Sequence, residues 1–151
     1  MNDAGSRDSS IYSRYLIGKA RHLMFRARQK ELKPYLISPR QANVLLILNN
    51  LGNKATLTEL ARQTDRGLNT LSIQMSRMEK DGLVTRVRET PKSNQLRFEL
   101  TEKGLNIHNQ IKDIISVKDI MAVLSEKERQ QLISALEKIV NKAEKYNPHW
   151  K

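Results

Sequence analysis

Asn69, Thr70, Ile73, Arg77 and Lys80 are the side chains of this sequence best placed to do chemistry together. On a helix that turns roughly 100° per residue they fall on one side, with Ser72 and Gln74 on its flanks and Arg66 just ahead of it. Asn and Gln can pair bidentately with adenine, Ser and Thr donate or accept, and Arg binds guanine or phosphate. Ile73 stands in the middle of this polar face, where exposure is costly unless it meets something apolar such as a thymine methyl. Leu68, Leu71, Met75 and Met78 lie within about 80° of one another and form the opposite, inward stripe. An ordinary amphipathic helix with one stray isoleucine has the same pattern, so the flanking elements decide between the readings.

Those elements must hold the helix against something. Thr56-Leu57-Thr58-Glu59 is a capping box that opens a short helix to about Thr64. Asp65-Arg66-Gly67 makes a turn, the helix of interest runs from about Leu68 to Asp81, and Gly82 closes it. Leu83 to Arg88 then alternates with the period of a strand, and Gln95 to Leu100 does so again. The Glu89–Asn94 loop between them holds Pro91, Lys92 and Ser93. A two-stranded hairpin alone is marginal, so it must rest on the preceding helices. Helix, turn, helix and basic hairpin is the order of a winged helix-turn-helix, in which Arg86, Arg88, Lys92, Ser93 and Arg97 of the wing face phosphate or minor groove. A solvated basic hairpin is the plainer alternative.

The remaining elements flank this lobe. After about nine polar residues, expected to be disordered, Ile11, Tyr12, Tyr15, Leu16, Ala20, Leu23, Met24 and Ala27 recur at helical steps until Pro34. Ser38-Pro39-Arg40-Gln41 starts a second helix, apolar nearly all round and expected to be buried, and Gly52 ends it. Thr101 can cap a helix through Leu105, Ile107, Ile111, Ile114 and Ile115, extending toward Met121. Ser125-Glu126-Lys127-Glu128 is a third capping box, opening a last helix to about Tyr146. The fold class is therefore mainly α with a small β-hairpin wing. Residues 1–9 are a disordered N-terminus, 10–37 an N-terminal helical segment, 38–104 the winged lobe and 105–147 the C-terminal helices, all in one intertwined domain. Ile11, Tyr15, Ile114, Leu132, Leu136, Ile139 and Val140 place more apolar surface on long stripes than a small lobe can cover. A large aliphatic side chain is worth about 1.5–3 kcal/mol when fully buried, so these residues call for dimerisation. The alternative is an intramolecular bundle.

Composition agrees with a polyanionic partner. Lys and Arg number 27 against 16 Asp and Glu, a net charge of +11. The excess is spread out: residues 1–37 carry 8 basic and 3 acidic side chains, 38–104 carry 11 and 7, and 105–151 carry 8 and 6. Cysteine is absent, which removes disulfides, thiolate nucleophiles and Cys-ligated zinc. No apolar run approaches a membrane span and the N-terminus has no signal-peptide core, so the expected location is cytoplasmic and no membrane contact is expected. His22, His108 and His149 lie far apart, and HExxH, GxSxG, P-loop and GxGxxG patterns are all missing. No enzyme activity, cofactor or metal is expected.

The run LTELARQT…LNTLSIQMSRMEKDGLVTR…FELTEKG resembles the MarR family of bacterial transcription regulators. Glu79, Gly82, Leu83, Arg86, Leu100, Thr101 and Gly104 occupy the family's pattern positions, and the likeness extends from about residue 10 to 146. It implies a homodimer formed by the N- and C-terminal helices and bound to a pseudo-palindromic stretch of double-stranded DNA, most often as a repressor. It also implies release by a small aromatic effector held between the dimer helices and the DNA-binding lobe, for which His22, Met24, Arg26 and Tyr35 are candidates by position and chemistry. The wing departs from the pattern: Lys92 and Ser93 stand where the family commonly has an Asp-Arg pair, leaving Lys92 or Arg97 as the substitute phosphate contact. A winged-helix module that binds another protein is the alternative function.

Overall fold

The computed structural model of the chain describes residues 8–147 apart from 65, 114 and 115. Asp8 caps α1 (Ser9–Leu32) by accepting from the Ser10 amide at 3.0 Å. The helix gives way at Lys33–Tyr35 to a short 3₁₀ turn containing Pro34. The expected disordered segment 1–9 thus lies outside the described residues except for its last two, which belong to the start of α1.

α2 (Pro39–Asn50) opens on the expected capping box, with the Ser38 hydroxyl accepting from the Gln41 amide and the Gln41 carboxamide accepting from the Ser38 amide. Ala42, Val44, Leu45 and Leu48 of this helix are buried and form the centre of the lobe. β1 (Lys54–Thr56) leads directly into α3 (Leu57–Thr64), and α4 (Leu68–Lys80) follows the turn. β2 (Val84–Arg88) and β3 (Leu96–Leu100) are the hairpin. Then come α5 (Glu102–Ile111), α6 (Ser116–Met121) and α7 (Glu126–Glu144).

Two elements differ from the sequence reading. The sheet has three antiparallel strands in the order β1-β3-β2, with Ala55 opposite Phe98 and Arg86 opposite Phe98 from the other side. The third strand is only Lys-Ala-Thr, too short to show alternation, and it exists because β3 offers it an edge. The single helix expected to run from Thr101 toward Met121 is instead α5 and a separate α6.

Around α4 the local chemistry is tight. The amides of Leu83 and Gly82 donate to the carbonyls of Met78 and Glu79 at 2.9 and 3.0 Å, a Schellman ending that requires the left-handed φ of +71° at Gly82. The Thr101 hydroxyl donates to the Gly82 carbonyl and accepts from the Gly104 amide, so one residue caps α5 and ties it to the end of α4. A Cβ on Gly104 would lie 2.1 Å from the Leu83 carbonyl oxygen, so only glycine lets α5 approach this closely. The core joins Leu32, Leu45, Leu48, Leu60, Leu71, Met75, Met78, Leu83, Val84, Phe98 and Ile111.

The ends of the chain are different. Leu32 is the sole buried residue of α1, and none of the described α7 residues is buried. No described helix is long and apolar enough to cross a membrane.

Candidate nucleic-acid interface

α4 is anchored by one face. Leu71, Met75 and Met78 have no solvent exposure, as the inward stripe predicts. Leu68 is a correction: it is 49% exposed, because as the first residue of the helix it projects beyond the edge of the core. The outward residues Asn69, Thr70, Arg77 and Lys80 are at least partly open to solvent, as is Ile73 at 57%, while Ser72 and Gln74 lie on the flanks.

Polar contacts fix the orientation of that face. The Gln74 carboxamide donates to the Arg40 carbonyl at 3.0 Å, and Gln41 donates to Asp81 Oδ2 at 3.0 Å, so the start of α2 grips α4 at two points. Arg86 Nε lies 3.0 Å from Glu79 Oε2 and its Nη2 donates to Ser76 Oγ at 3.0 Å, with the guanidinium 5.4 Å above the Phe98 ring. Gln74 and Arg86, both expected to reach DNA, are therefore engaged within the lobe in this structure.

The wing divides its expected residues in the same way. Arg88 and Lys92 are exposed and unpaired among the described residues. Ser93 closes the loop, its amide donating to the Thr90 carbonyl and its hydroxyl accepting from the Gln95 amide. Arg97 is not at the wing tip. Its Nη1 lies 3.3 Å from Glu59 Oε2 and its Nε 2.6 Å from Glu89 Oε1, the latter an ion pair without hydrogen-bond alignment.

A groove of about 540 Å³ runs along the exposed face of α4, lined by Phe25, Arg40, Arg66, Thr70, Ile73 and Arg77 among others. Beside it, a second cleft of about 390 Å³ is lined by Arg21, His22, Phe25, Arg40, Asn43 and Arg66 among others. Arg40 and Arg66 belong to both. Burial, then repulsion from Arg40 and Arg21, pushes the Arg66 guanidinium below the ordinary arginine value, yet an arginine stays charged at neutral pH. No carboxylate is among the described residues of the second cleft, which makes it strongly electropositive.

Of the four effector candidates, only His22 lines this cleft. The cleft-facing arc of α1 passes through Arg21, His22 and Phe25, so Met24 and Arg26 fall to either side of it. Arg26 lines a separate groove with Lys30, Lys33 and Leu36, and Tyr35 packs on the core. Arg21 and Arg40 escaped the sequence reading because three elements distant in sequence bring them together. The dimerisation candidates Ile11, Tyr15, Leu132, Ile139 and Val140 are exposed, Leu136 is half-buried, and Ile114 lies outside the described residues.

This arrangement of an N-terminal helix, winged lobe and C-terminal helices recurs in solved structures. The organohalide-sensing regulator RdhR-CbdbA1625, bound to 2,4-dichlorophenol, matches with a TM-score of 0.85 at 28% identity over 100% of this chain and 91% of its own. A mutant of MarR from E. coli in complex with operator DNA matches with a TM-score of 0.76 at 21% identity over 87% of this chain and 96% of its own. The fold is that of the MarR family. In sequence, the chain is 26% identical over 118 residues to the HTH-type transcriptional regulator SarZ of Staphylococcus haemolyticus, covering 78% of this chain and 80% of SarZ. No protein-family model matches it.

Proposed function

We propose that this MarR-type chain is a homodimeric, sequence-specific DNA-binding transcription regulator of the cytoplasm, acting as a repressor that a small-molecule effector releases. The observation that carries this reading is α4. A buried Leu71-Met75-Met78 stripe and contacts from α2 and β2 hold the helix, while Asn69, Thr70, Ile73, Arg77 and Lys80 stand on its open face beside Arg66. A pre-positioned helix with hydrogen-bonding, cationic and methyl-complementary groups on its free face suits major-groove readout. Arg88 and Lys92 suit phosphate contact on the flank. The DNA complex of E. coli MarR and the regulator SarZ support the same reading.

Two copies would cover the apolar stripes of α1 and α7, which a single chain leaves in water. A two-fold pair would present two α4 helices to one face of DNA, with half-site centres about one turn, ~10 bp, apart. For the effector, the electropositive cleft beside α4 suits an aromatic anion such as a phenolate, with Phe25 as its apolar wall. The dichlorophenol held by RdhR supports that class.

Selection of bound duplexes from a random pool tests the function as a whole. A pseudo-palindromic consensus with ~10 bp half-site spacing is expected. Recovery of no consensus, with retention of a protein partner through the same face, would favour the protein-interaction alternative.

A further inference from the structure

Among the described residues, Arg97 is the one wing arginine whose guanidinium spans two carboxylates from different elements. β3 is the middle strand, and Arg97 sits opposite Thr56 of β1 and Val87 of β2. Its side chain is only 21% exposed. One carboxylate, Glu59, is itself immobilised: its Oε2 accepts from the Thr56 amide at 2.7 Å and the Thr56 hydroxyl at 3.0 Å, at the very start of α3. The other, Glu89, is the first residue beyond β2 and opens the wing loop.

From this geometry we infer that Arg97 is a positioning residue, joining the wing loop to the start of α3 so that Arg88 and Lys92 meet the DNA backbone at a fixed height beside α4. It makes no phosphate contact of its own. An arginine flanked by two carboxylates has little net charge to offer a phosphate, and reaching one would cost both ion pairs. Arg88 and Lys92 are exposed and carry no such pairing among the described residues. The sheet holds β2 and β3, but the mostly exposed loop between them is tied only at its ends and by the few hydrogen bonds around Ser93, which leaves its height above the sheet loosely set. The Glu59–Arg97–Glu89 bridge removes that freedom. The inference rests on the DNA-binding reading for its consequence, and on the lobe alone for the bridge.

Glu89→Gln gives opposite signs for the two roles. If Arg97 positions the wing, Glu89→Gln weakens binding to the selected duplex about three- to fivefold, the scale of a partly exposed ion pair, although the protein has become more positive. Arg97→Ala and Arg97→Lys then weaken it similarly, because lysine cannot span both carboxylates. The slope of log affinity against log salt stays at the wild-type value in all three, because Arg88 and Lys92 still reach their phosphates once the loop is ordered on the DNA and only the cost of ordering it is added. If Arg97 instead touches phosphate, Glu89→Gln tightens binding, Arg97→Lys resembles wild type, and Arg97→Ala lowers the slope by about one. That pattern overturns the inference. Hydrogen exchange of the amides at residues 89–95 in the DNA-free protein provides a reading independent of DNA binding. Faster exchange in Arg97→Ala and Glu89→Gln, but not in Lys92→Ala, supports the bridge. Exchange unchanged in Arg97→Ala overturns it, even if no duplex is ever bound and the functional reading itself fails.

Discussion

The residues on and around α4 fall into three groups: those that anchor the helix in the core, those held by partners within the lobe, and those left open to a ligand. Leu71, Met75, Met78 and the outward Ile73 and Arg77 followed from helical steps alone, because burial on an amphipathic helix is a matter of angle. The hydrogen bond from Gln74 to the Arg40 carbonyl and the ion pair of Arg86 with Glu79 could not be read so. Their partners lie on other faces whose approach is set by the packing of α2 and β2. The same division makes predictions for individual substitutions. Lys92→Ala should weaken binding uniformly across sequences and lower the salt slope by about one, measured by fluorescence anisotropy at several salt concentrations. Changing Asn69 or Thr70 should instead alter the base preferred at one position, by about 1–3 kcal/mol, in a binding selection.

Among elements, the capping boxes were legible because each is a local contract between a hydroxyl and a residue three positions on. All three, at Ser38, Thr56 and Ser125, are formed. β1 was not legible, since a three-residue strand is created by the neighbour that pairs with it. Two consequences belong to this scale. Gly104→Ala places a methyl group against the Leu83 carbonyl and should destabilise the lobe by about 1–3 kcal/mol in thermal or urea unfolding, with loss of α5 docking. Glu59 has its carboxyl held below the usual glutamate range, chiefly by the Thr56 amide and then by the Thr56 hydroxyl. A lowered folded value means that its stabilisation is present above the ordinary glutamate value and is lost as the pH falls through the folded one. Thermal midpoints followed from about pH 6 to pH 3 should fall less steeply in Glu59→Gln than in the wild type, and parallel curves would count against the cap.

For the whole molecule, the described chain contrasts a well-packed lobe with helices that lack a partner. Tyr15, Leu132, Ile139 and Val140 are all exposed, and the sequence anticipated this from stripes that had nothing to cover them. The electropositive cleft shared by α1, α2 and the turn before α4 was not anticipated beyond His22, because proximity of Arg21, Arg40 and Arg66 is a property of the assembled fold. If two copies are joined through α1 and α7, Ile139→Asp should shift the protein toward monomer in sedimentation equilibrium and weaken operator binding far more than any rim substitution. A stable dimer in that variant would relocate the interface.

Whether the exposed face of α4 reads DNA is decided by the affinity of an Ile73→Ala, Arg77→Ala double variant for a selected duplex. With dimers intact by sedimentation and the lobe folded by thermal unfolding, binding should fall at least about tenfold and the salt slope should drop. Undiminished affinity and slope in such dimers would mean that DNA is read by another surface, not by α4.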